Sequence, residues 1–405
     1  MNDPQLAEIA KLLFSPVTLV AYTAAMIAYL YSMSSTVGRA EDGDATAAVR
    51  PKGLRIATGL GLLAIVAHGA HLLTWSFAAG RYPLGNMFEF SNVAAFVAAI
   101  AAITVVQWRL QRPDVVGFVF LGVLLTLGLA VLVYTEPGPL MPILDSWWRA
   151  IHVSTIVFAF GVFTVGAVFT ALYLLRETAE RRVAEARAGN MSGSTVGAAF
   201  DTTTRDADED ELLEVVPGRE EPDASNIDED AAAYGIALRR ALARPVSVAG
   251  RTVHVPVSLL IWTVVASVPF ALVFQRASAM VGIPVVALAA VLIAWWFVPS
   301  LPAATTLDSL AYRTNAFGFP LWTFGVIAGA IWAEQSWGRF WGWDPKETSA
   351  FLTWVAYAGY LHARATRGVK GRGAAWIGLG SYGVLLFTYY VVNLLVTGLH
   401  SYAGL

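Results

Sequence analysis

The sequence predicts an all-α, polytopic integral membrane protein with about ten transmembrane helices. Hydrophobic residues make up 57% of the 405 residues and charged residues only 14%, whereas soluble domains carry roughly 25% charged residues. Apolar runs of about 20 residues, the length that crosses a bilayer, recur along the chain. The absence of cysteine excludes disulfides, iron–sulfur clusters and thiol nucleophiles. The net charge of −2 gives no indication of a nucleic-acid partner.

Ten apolar runs are expected to span the membrane: 14–34, 54–77, 92–108, 114–134, 151–175, 256–275, 279–299, 316–333, 345–365 and 375–397. The third is short, and the sixth and seventh contain Pro269 and Pro284, which membrane helices tolerate when neighbours satisfy the freed backbone groups. The first thirteen residues lack a basic n-region, so no cleavable signal peptide is expected.

The distribution of basic residues predicts the orientation. Lys and Arg near the ends of spans favour the cytoplasmic side. Most of the 27 Lys and Arg residues fall in segments that are cytoplasmic if the N-terminus is outside. The bias persists when the long segment 176–253 is discounted. The sequence therefore predicts a plasma-membrane protein with both termini on the outer face.

The composition divides the chain into four regions. Five membrane helices occupy 14–175, a cytoplasmic acidic segment 176–253, an additional two-helix hairpin 254–303, and a Trp-rich membrane core 304–405. Thirteen Asp or Glu, two Arg and no aromatic residue lie between Asp201 and Asp230. Such a stretch cannot bury enough apolar surface to offset its ordering entropy, so disorder is expected. A solvated insert is favoured over a docking tail.

The Trp-rich segment is the strongest functional signal. Five of the fourteen Trp lie between 332 and 354. Trp337, Trp341 and Trp343 alternate with Gly338 and Gly342, a pattern that single interfacial anchors do not explain. Glycine allows a flat ligand to approach the backbone closely. The segment, which the orientation places outside, therefore suits a planar macrocycle such as heme.

Several charged residues lie within the Trp-rich segment or directly after it. Asp344, Pro345 and Glu347 have the order of an N-cap, a first helical residue and a capping box, so they are expected to start the next membrane helix. A catalytic role for Asp344 or Glu347 is less favoured. Arg339 and Lys346 are candidates to bind heme propionates, and interfacial snorkelling explains either residue equally well.

Three histidines are candidate ligands for heme iron. His152 lies at the outer start of the fifth span and His400 just past the outer end of the last. Both are at the level of the Trp-rich segment, so the sequence predicts a heme held by two histidines there. His362 lies about 26 Å deeper, at 1.5 Å per helical residue. A membrane-embedded ligand and an interfacial histidine are equally compatible with its position.

His68 and His71 lie three residues apart in the second span and share a helix face. Buried, hydrogen-bonded histidines are favoured over a heme or metal pair. His254 begins the sixth span on the inner side, as an interfacial residue does.

Several strings together resemble one family. The run Trp337-Gly-Arg-Phe-Trp-Gly-Trp-Asp-Pro-Lys-Glu-Thr348 is similar to the tryptophan-rich "WWD" signature of cytochrome c biogenesis proteins, above all the CcsA/ResC type of system II. The stretches 83–89, 308–313, 360–364 and 393–402 also match this type. The resemblance covers 54–175 loosely and 305–404 closely. Phe340 and Ser349 replace the usual aromatic residues, and the insertion 176–303 has no counterpart in short members.

The resemblance implies an activity. The family delivers heme b from the inner side to an outer site and joins its vinyl groups to the thiols of a Cys-x-x-Cys-His motif in apocytochrome c. By position, His152 and His400 match the outer heme ligands and His362 the membrane ligand. A ResB/CcsB-type membrane partner supplies the second membrane ligand, and a thioredoxin-like thiol reductant is a further partner. The chain is then one subunit of a holocytochrome c synthase, or heme lyase, active only with that partner.

Competing interpretations remain open from the sequence. A heme exporter or chaperone of the other maturation pathway shares the Trp-rich signature. An electron-transfer membrane cytochrome b requires facing histidine pairs within the spans, and His68 and His71 do not supply two such pairs. A transporter of small solutes is the least favoured interpretation.

Overall fold

The computed structural model describes residues 4–40, 51–138, 144–198, 256–298 and 301–399, and all regular structure within them is helical. The longer helices are α1 (Pro4–Leu12), α2 (Leu19–Ala40), α3 (Pro51–Ala79), α4 (Met87–Ala101), α5 (Val116–Leu132), α6 (Trp147–Ala198), α7 (Val257–Leu272), α8 (Ala277–Trp296), α9 (Ala304–Trp337), α10 (Pro345–Ala365) and α11 (Gly371–Leu386). Wider π-helical turns join α1 to α2 and extend α4 to Arg109 and α11 to Val392.

Each predicted span contains a helix. Eight of them, in the described part of the chain, are long and apolar enough to cross a membrane: Pro4–Met33, Lys52–Ala79, Met87–Arg109, Pro113–Leu132, Trp147–Arg182, Ala277–Trp296, Ala304–Trp337 and Gly371–Leu395. Helix α7 is apolar but has only 16 residues. Helix α10 has 21 residues and a more polar composition. The prediction of an all-α polytopic membrane protein is confirmed.

The polar side of α10 faces inward. Ser349, Thr353, Tyr357 and Tyr360 are buried, while apolar side chains such as Leu352 are exposed. A helix in lipid can carry its polar groups toward the protein because lipid solvates the apolar side. This arrangement explains why α10 is less hydrophobic than the other spans.

Helix α6 is longer than the predicted span 151–175. It continues to Ala198, so the beginning of the predicted cytoplasmic segment is helical. Arg176 lies 2.6 Å from the Glu180 carboxylate one turn further on and donates to the Val298 carbonyl at 2.8 Å. These contacts give the extension tertiary support. The acidic stretch Asp201–Asp230 lies outside the described residues.

Glycines allow α6 and α9 to pack closely. A methyl group on Gly318 would lie 2.7 Å from the Phe163 ring, and one on Gly325 would lie 2.6 Å from Ile156. Small residues at helix contacts let backbones approach in membranes, where van der Waals packing supports association. The α6–α9 pair therefore forms a tight seam, and α10 and α11 pack around it.

Candidate functional site

An open cleft with a cavity volume of about 190 Å³ lies at one end of the helix bundle. The loop before α4, the starts of α6 and α10, and the ends of α9 and α11 meet there. Its aromatic lining consists of Phe90, Phe160, Trp322, Trp332 and Tyr389. Its polar lining includes Asn86, Arg149, His152, Lys346 and Asn393, and no Asp or Glu of the described residues lines it. The cleft therefore suits a flat apolar ligand that carries negative charge.

His152 is held in one orientation within this cleft. Its Nδ1 lies 2.7 Å from the carbonyl oxygen of Gly325. Because a carbonyl oxygen can only accept, Nδ1 carries the proton and donates it, and Nε2 carries the lone pair. That tautomer and that type of backbone anchor are typical of metal-ligating histidines. The Trp332 ring stacks on the imidazole, with centroids 6.2 Å apart.

The seam between α6 and α9 provides the room for this imidazole. A methyl group on Gly329 would lie 2.7 Å from Nδ1 of His152, closer than side-chain contacts allow. The same helix therefore supplies the accepting carbonyl, at Gly325, and the gap at Gly329. The position of His152 follows from the packing of two helices.

Arg149 is a cleft residue that sequence reasoning did not select. Its side chain is 3% exposed. Its Nη1 donates to the Leu84 carbonyl at 3.1 Å, and its Nε donates to the Leu144 carbonyl. Arg149 precedes His152 by three residues, which places both on one face of α6. The available signal was an arginine one turn before a candidate ligand.

Glu89 holds the loop that forms one wall of the cleft. Its carboxylate is buried and accepts from Trp75 Nε1 at 2.9 Å, the Gly85 amide at 2.6 Å and Asn86 Nδ2 at 3.2 Å. The Arg81 guanidinium pairs with both of its oxygens, at 2.7 and 2.8 Å. One carboxylate thus fixes the turn that carries Asn86 into the cleft.

Replacing Glu89 with glutamine is expected to lower the free energy of unfolding by about 3 kcal/mol, because it leaves the Arg81 charge buried without its partner. Thermal unfolding of the purified protein in detergent measures this loss. Asp114→Asn is the matched control, since Asp114 and Arg112 lie 3.8 Å apart with side chains 28% and 32% exposed. Equal melting temperatures for the two variants would contradict the structural role of Glu89.

The Trp-rich segment lies beside the cleft. Trp337 ends α9 and packs on Trp332 with ring centroids 5.3 Å apart. Gly338 follows with φ +69°, the left-handed conformation that commonly ends a helix. Trp341 and Trp343 meet edge to face at 6.0 Å, and Trp343 is 69% exposed. These three Trp do not line the cleft, and their contact with heme stays a prediction.

The two predicted propionate partners differ in position. Lys346 lines the cleft. Arg339 is exposed, and its guanidinium occupies the space that a side chain at Gly342 would take. The missing side chain of Gly342 therefore leaves space for the Arg339 side chain of the same loop. A role for Arg339 and Gly342 in ligand binding stays a prediction.

Helix α10 starts where the sequence predicts. Asp344 is the N-cap and Pro345 the first helical residue. Glu347 Oε2 accepts from the backbone amides of Asp344, at 3.2 Å, and Gly342, at 2.7 Å. Asp344 Oδ1 also accepts from the backbone amide of Leu399 at 2.7 Å. The start of α10 is therefore tied to the C-terminal segment.

The remaining predicted iron ligands lie apart from the cleft or outside the described residues. His362 is exposed on α10, roughly 24 Å along the helix from Lys346 at 1.5 Å per residue. Thr366 Oγ1 lies 3.3 Å from its Nδ1. His400 falls outside the described residues, and so does His254, which was predicted as an interfacial residue and not as a ligand. The pairing of His152 with His400 therefore stays a prediction.

His68 and His71 are buried, and each forms a hydrogen bond through Nδ1, whereas neither Nε2 has a partner among the described residues. His68 Nδ1 lies 3.1 Å from the Tyr22 hydroxyl. His71 Nδ1 lies 2.8 Å from the Ala10 carbonyl oxygen, to which it donates. Among the described residues, no cluster of three or more His, Cys, Asp or Glu is arranged to hold a metal ion.

At the other end of the bundle, two of the resembling strings meet. The Arg364 guanidinium on α10 donates to both carboxylate oxygens of Asp308 on α9, at 2.6 and 3.0 Å. The same guanidinium lies 4.9 Å from the centroid of the Tyr312 ring. This contact fixes α9 and α10 near His362.

Comparison with known proteins agrees with these motifs. The family model described as cytochrome c assembly protein matches residues 56–213 and 241–400. The cytochrome c biogenesis protein CcsA of Gloeothece citriformis is 30% identical over 330 residues, 80% of each chain. The CcsA of Crocosphaera subtropica is 31% identical over 329 residues, again 80% of each chain. The CcsA of Synechococcus elongatus is 54% identical over 102 residues, 25% of this chain and 31% of its own.

The family match covers well over half of the chain, and two relatives align along most of its length. A multi-pass helical membrane protein with this match has a role in cytochrome c biogenesis. The chain belongs to the cytochrome c assembly family, as a CcsA-type cytochrome c biogenesis protein.

Proposed function

We propose that this chain delivers heme b across the membrane and presents it to apocytochrome c for thioether attachment at a Cys-x-x-Cys-His motif. It does so as one subunit of a system II holocytochrome c synthase. The observation that carries the proposal is His152, which the Gly325 carbonyl fixes as a lone-pair donor inside an aromatic cleft.

The residues of the cleft fit heme as a substrate. Heme is a flat apolar plate with a central iron and two carboxylates on one edge. The cleft offers aromatic walls, one imidazole in a ligating tautomer, and the cations Arg149 and Lys346. When bound, heme supplies the vinyl groups to which the thiols add. A pocket with this combination holds the plate in one orientation and excludes water from its faces.

The chain's own contribution to the chemistry is positioning. Addition of a thiol to a vinyl group requires both groups to be held close and aligned, which lowers the entropic part of the barrier. His152 and the stacked Trp332 fix one reactant. This chain contains no cysteine. The reduced thiols must therefore come from apocytochrome c, kept reduced by a separate thioredoxin-like partner.

A ResB/CcsB-type partner completes the membrane site in this proposal. His362 is exposed on the surface of α10, where its imidazole is accessible from outside the chain. An ionisable residue within a membrane span is functional by default because its placement is costly. Heme entering from the inner side would meet His362 first and reach the His152 cleft afterwards, with His400 as the second ligand there.

We place the protein in the plasma membrane with the cleft, the Trp-rich segment and both termini on the outer face. The bias of basic residues supports this orientation. A phosphatase that folds only outside the cytoplasm, fused after Leu405, is expected to be active, and the same enzyme inserted at residue 215 is expected to be inactive. A cytoplasm-specific reporter that is active after Leu405 would contradict the topology.

The synthase proposal is tested by reconstitution. The chain, purified with a co-expressed ResB/CcsB-type partner, is expected to join heme covalently to a peptide containing Cys-x-x-Cys-His under reducing conditions. Mass spectrometry measures the heme–peptide adduct, and a peptide with both cysteines replaced by serine is the control. Heme binding and release without adduct formation would favour the exporter or chaperone. Heme that changes redox state but never leaves would favour a cytochrome b.

A further inference from the structure

We infer that Arg149 is the anion-recognising residue of the cleft and binds a propionate carboxylate of the heme substrate. The inference rests on the proposed function, because it names heme as the ligand. It adds a recognition residue that neither the Trp-rich signature nor the histidine pattern indicates.

The first argument is the uncompensated charge of Arg149. Its side chain is almost fully buried, yet no carboxylate of the described residues lies within 4 Å of its guanidinium. The nearby Glu89 is engaged by Arg81 in an ion pair of 2.7 Å, and Asp145 is exposed. A buried cation without a counter-charge is costly, so such a group is typical of a site that binds an anion.

The second argument is the remaining hydrogen-bonding capacity of the guanidinium. Nε and Nη1 donate to the carbonyl oxygens of Leu144 and Leu84. These two bonds fix the plane of the group and leave Nη2 without a partner among the described residues. A guanidinium held in this way is pre-organised to donate to a carboxylate.

The third argument is the relation between Arg149 and His152. They lie three residues apart, about one turn of α6, and both line the cleft. One helix therefore presents an iron ligand and a carboxylate partner side by side. Lys346 offers a second cation, whose charge interacts favourably with the Asp344 carboxylate.

This arrangement would select one edge of the heme. The propionates occupy one edge of the macrocycle, and the vinyl groups lie away from that edge. A propionate bound to Arg149 directs the vinyl groups away from the start of α6. Arg149 is then a specificity-determining residue that decides which edge faces the incoming thiols.

The test compares two ligands that differ only in charge: iron protoporphyrin IX and its dimethyl ester. Both are titrated in detergent into the purified complex with its presumed partner, followed by absorbance. The wild type is expected to bind the free acid about 10- to 100-fold more tightly, as a hydrogen bond to a charged group provides. Arg149→Gln is expected to lose this preference and to bind the ester as the wild type does.

Two further variants complete the design. Arg276→Gln removes an exposed arginine that lies outside the cleft and should keep the full preference. Arg149→Lys keeps a cation but cannot donate to two carbonyls and a carboxylate in one plane, so most of the preference should be lost. An unchanged preference in either Arg149 variant, or equal wild-type affinity for acid and ester, overturns the inference.

Failure of the inference is distinguishable from failure of the proposed function. If only the inference fails, both ligands still bind and His152→Ala still weakens binding. If the proposed function fails, neither ligand binds in a manner that depends on His152.

Discussion

Replacing both His152 and His400 with alanine is expected to leave heme in the purified complex but to abolish covalent attachment to apocytochrome c. His152 is the imidazole that lines the cleft and the proposed outer ligand, so heme captured near His362 would have no outer ligand to accept it. Heme per complex, measured by a pyridine assay, should stay near the wild-type value. Holocytochrome c should fall below detection.

Thr155→Ala is the matched control for this variant, because Thr155 lies one turn further along α6 and its hydroxyl bonds only to the Ile151 carbonyl, at 2.8 Å. It should keep both heme and maturation. Substantial holocytochrome c from the double-alanine variant would show that these imidazoles do not present the substrate.

Replacing His362 with alanine is expected to have the opposite effect on heme content. His362 lies roughly 24 Å from the cleft along α10, toward the end where Arg364 pairs with Asp308. Without its imidazole, capture from the inner side should fail, so heme should be low at both positions. Maturation should be lost as completely as in the double-alanine variant, but from an empty complex.

Thr366→Ala separates the imidazole from its surroundings, since it removes only the hydroxyl that lies 3.3 Å from Nδ1 of His362. This control should retain at least most of the heme and the maturation. Normal heme loading in His362→Ala would make His362 a structural residue, and the proposed relay from the inner to the outer side would fail.

Sequence reasoning succeeded where the signal is local. Asp344, Pro345 and Glu347 specify a helix start within four residues, and α10 begins there. The buried pair His68 and His71 could be anticipated from a three-residue spacing in an apolar span. The helix start depends on partners within a few residues, and the burial of the two histidines depends on the apolar span around them.

The cleft could not be predicted in this way, because its walls come from separate helices and loops. From the sequence, Arg149 resembles any other arginine at a membrane interface. Only the fold shows that its side chain is buried and donates to the carbonyl oxygens of Leu84 and Leu144. Trp322 and Trp332, which line the cleft, lie within α9, whereas the density of Trp in the sequence favoured Trp337, Trp341 and Trp343. Composition marks the neighbourhood of the site but does not identify the side chains that face it.

Average hydropathy describes two helices incompletely. Helix α10 turns its polar face inward, so its average hydropathy understates its suitability for the membrane. Helix α6 continues past the apolar run, where the buried Arg176 pairs with Glu180 and donates to the Val298 carbonyl. Both features depend on the directions in which side chains point around the helix. A hydropathy averaged along the sequence contains no information on these directions.

The hydrogen bond between Asp344 and Leu399 has a mechanical consequence. Helix α10 is a rod about 31 Å long, at 1.5 Å per residue, with His362 toward one end and Asp344 at the other. Asp344 Oδ1 holds the backbone amide of Leu399, the residue that precedes His400. A tilt or shift of α10 at the His362 end is therefore expected to move the segment that leads to His400. The two ends of α10 are thereby connected, through Asp344, to the C-terminal segment.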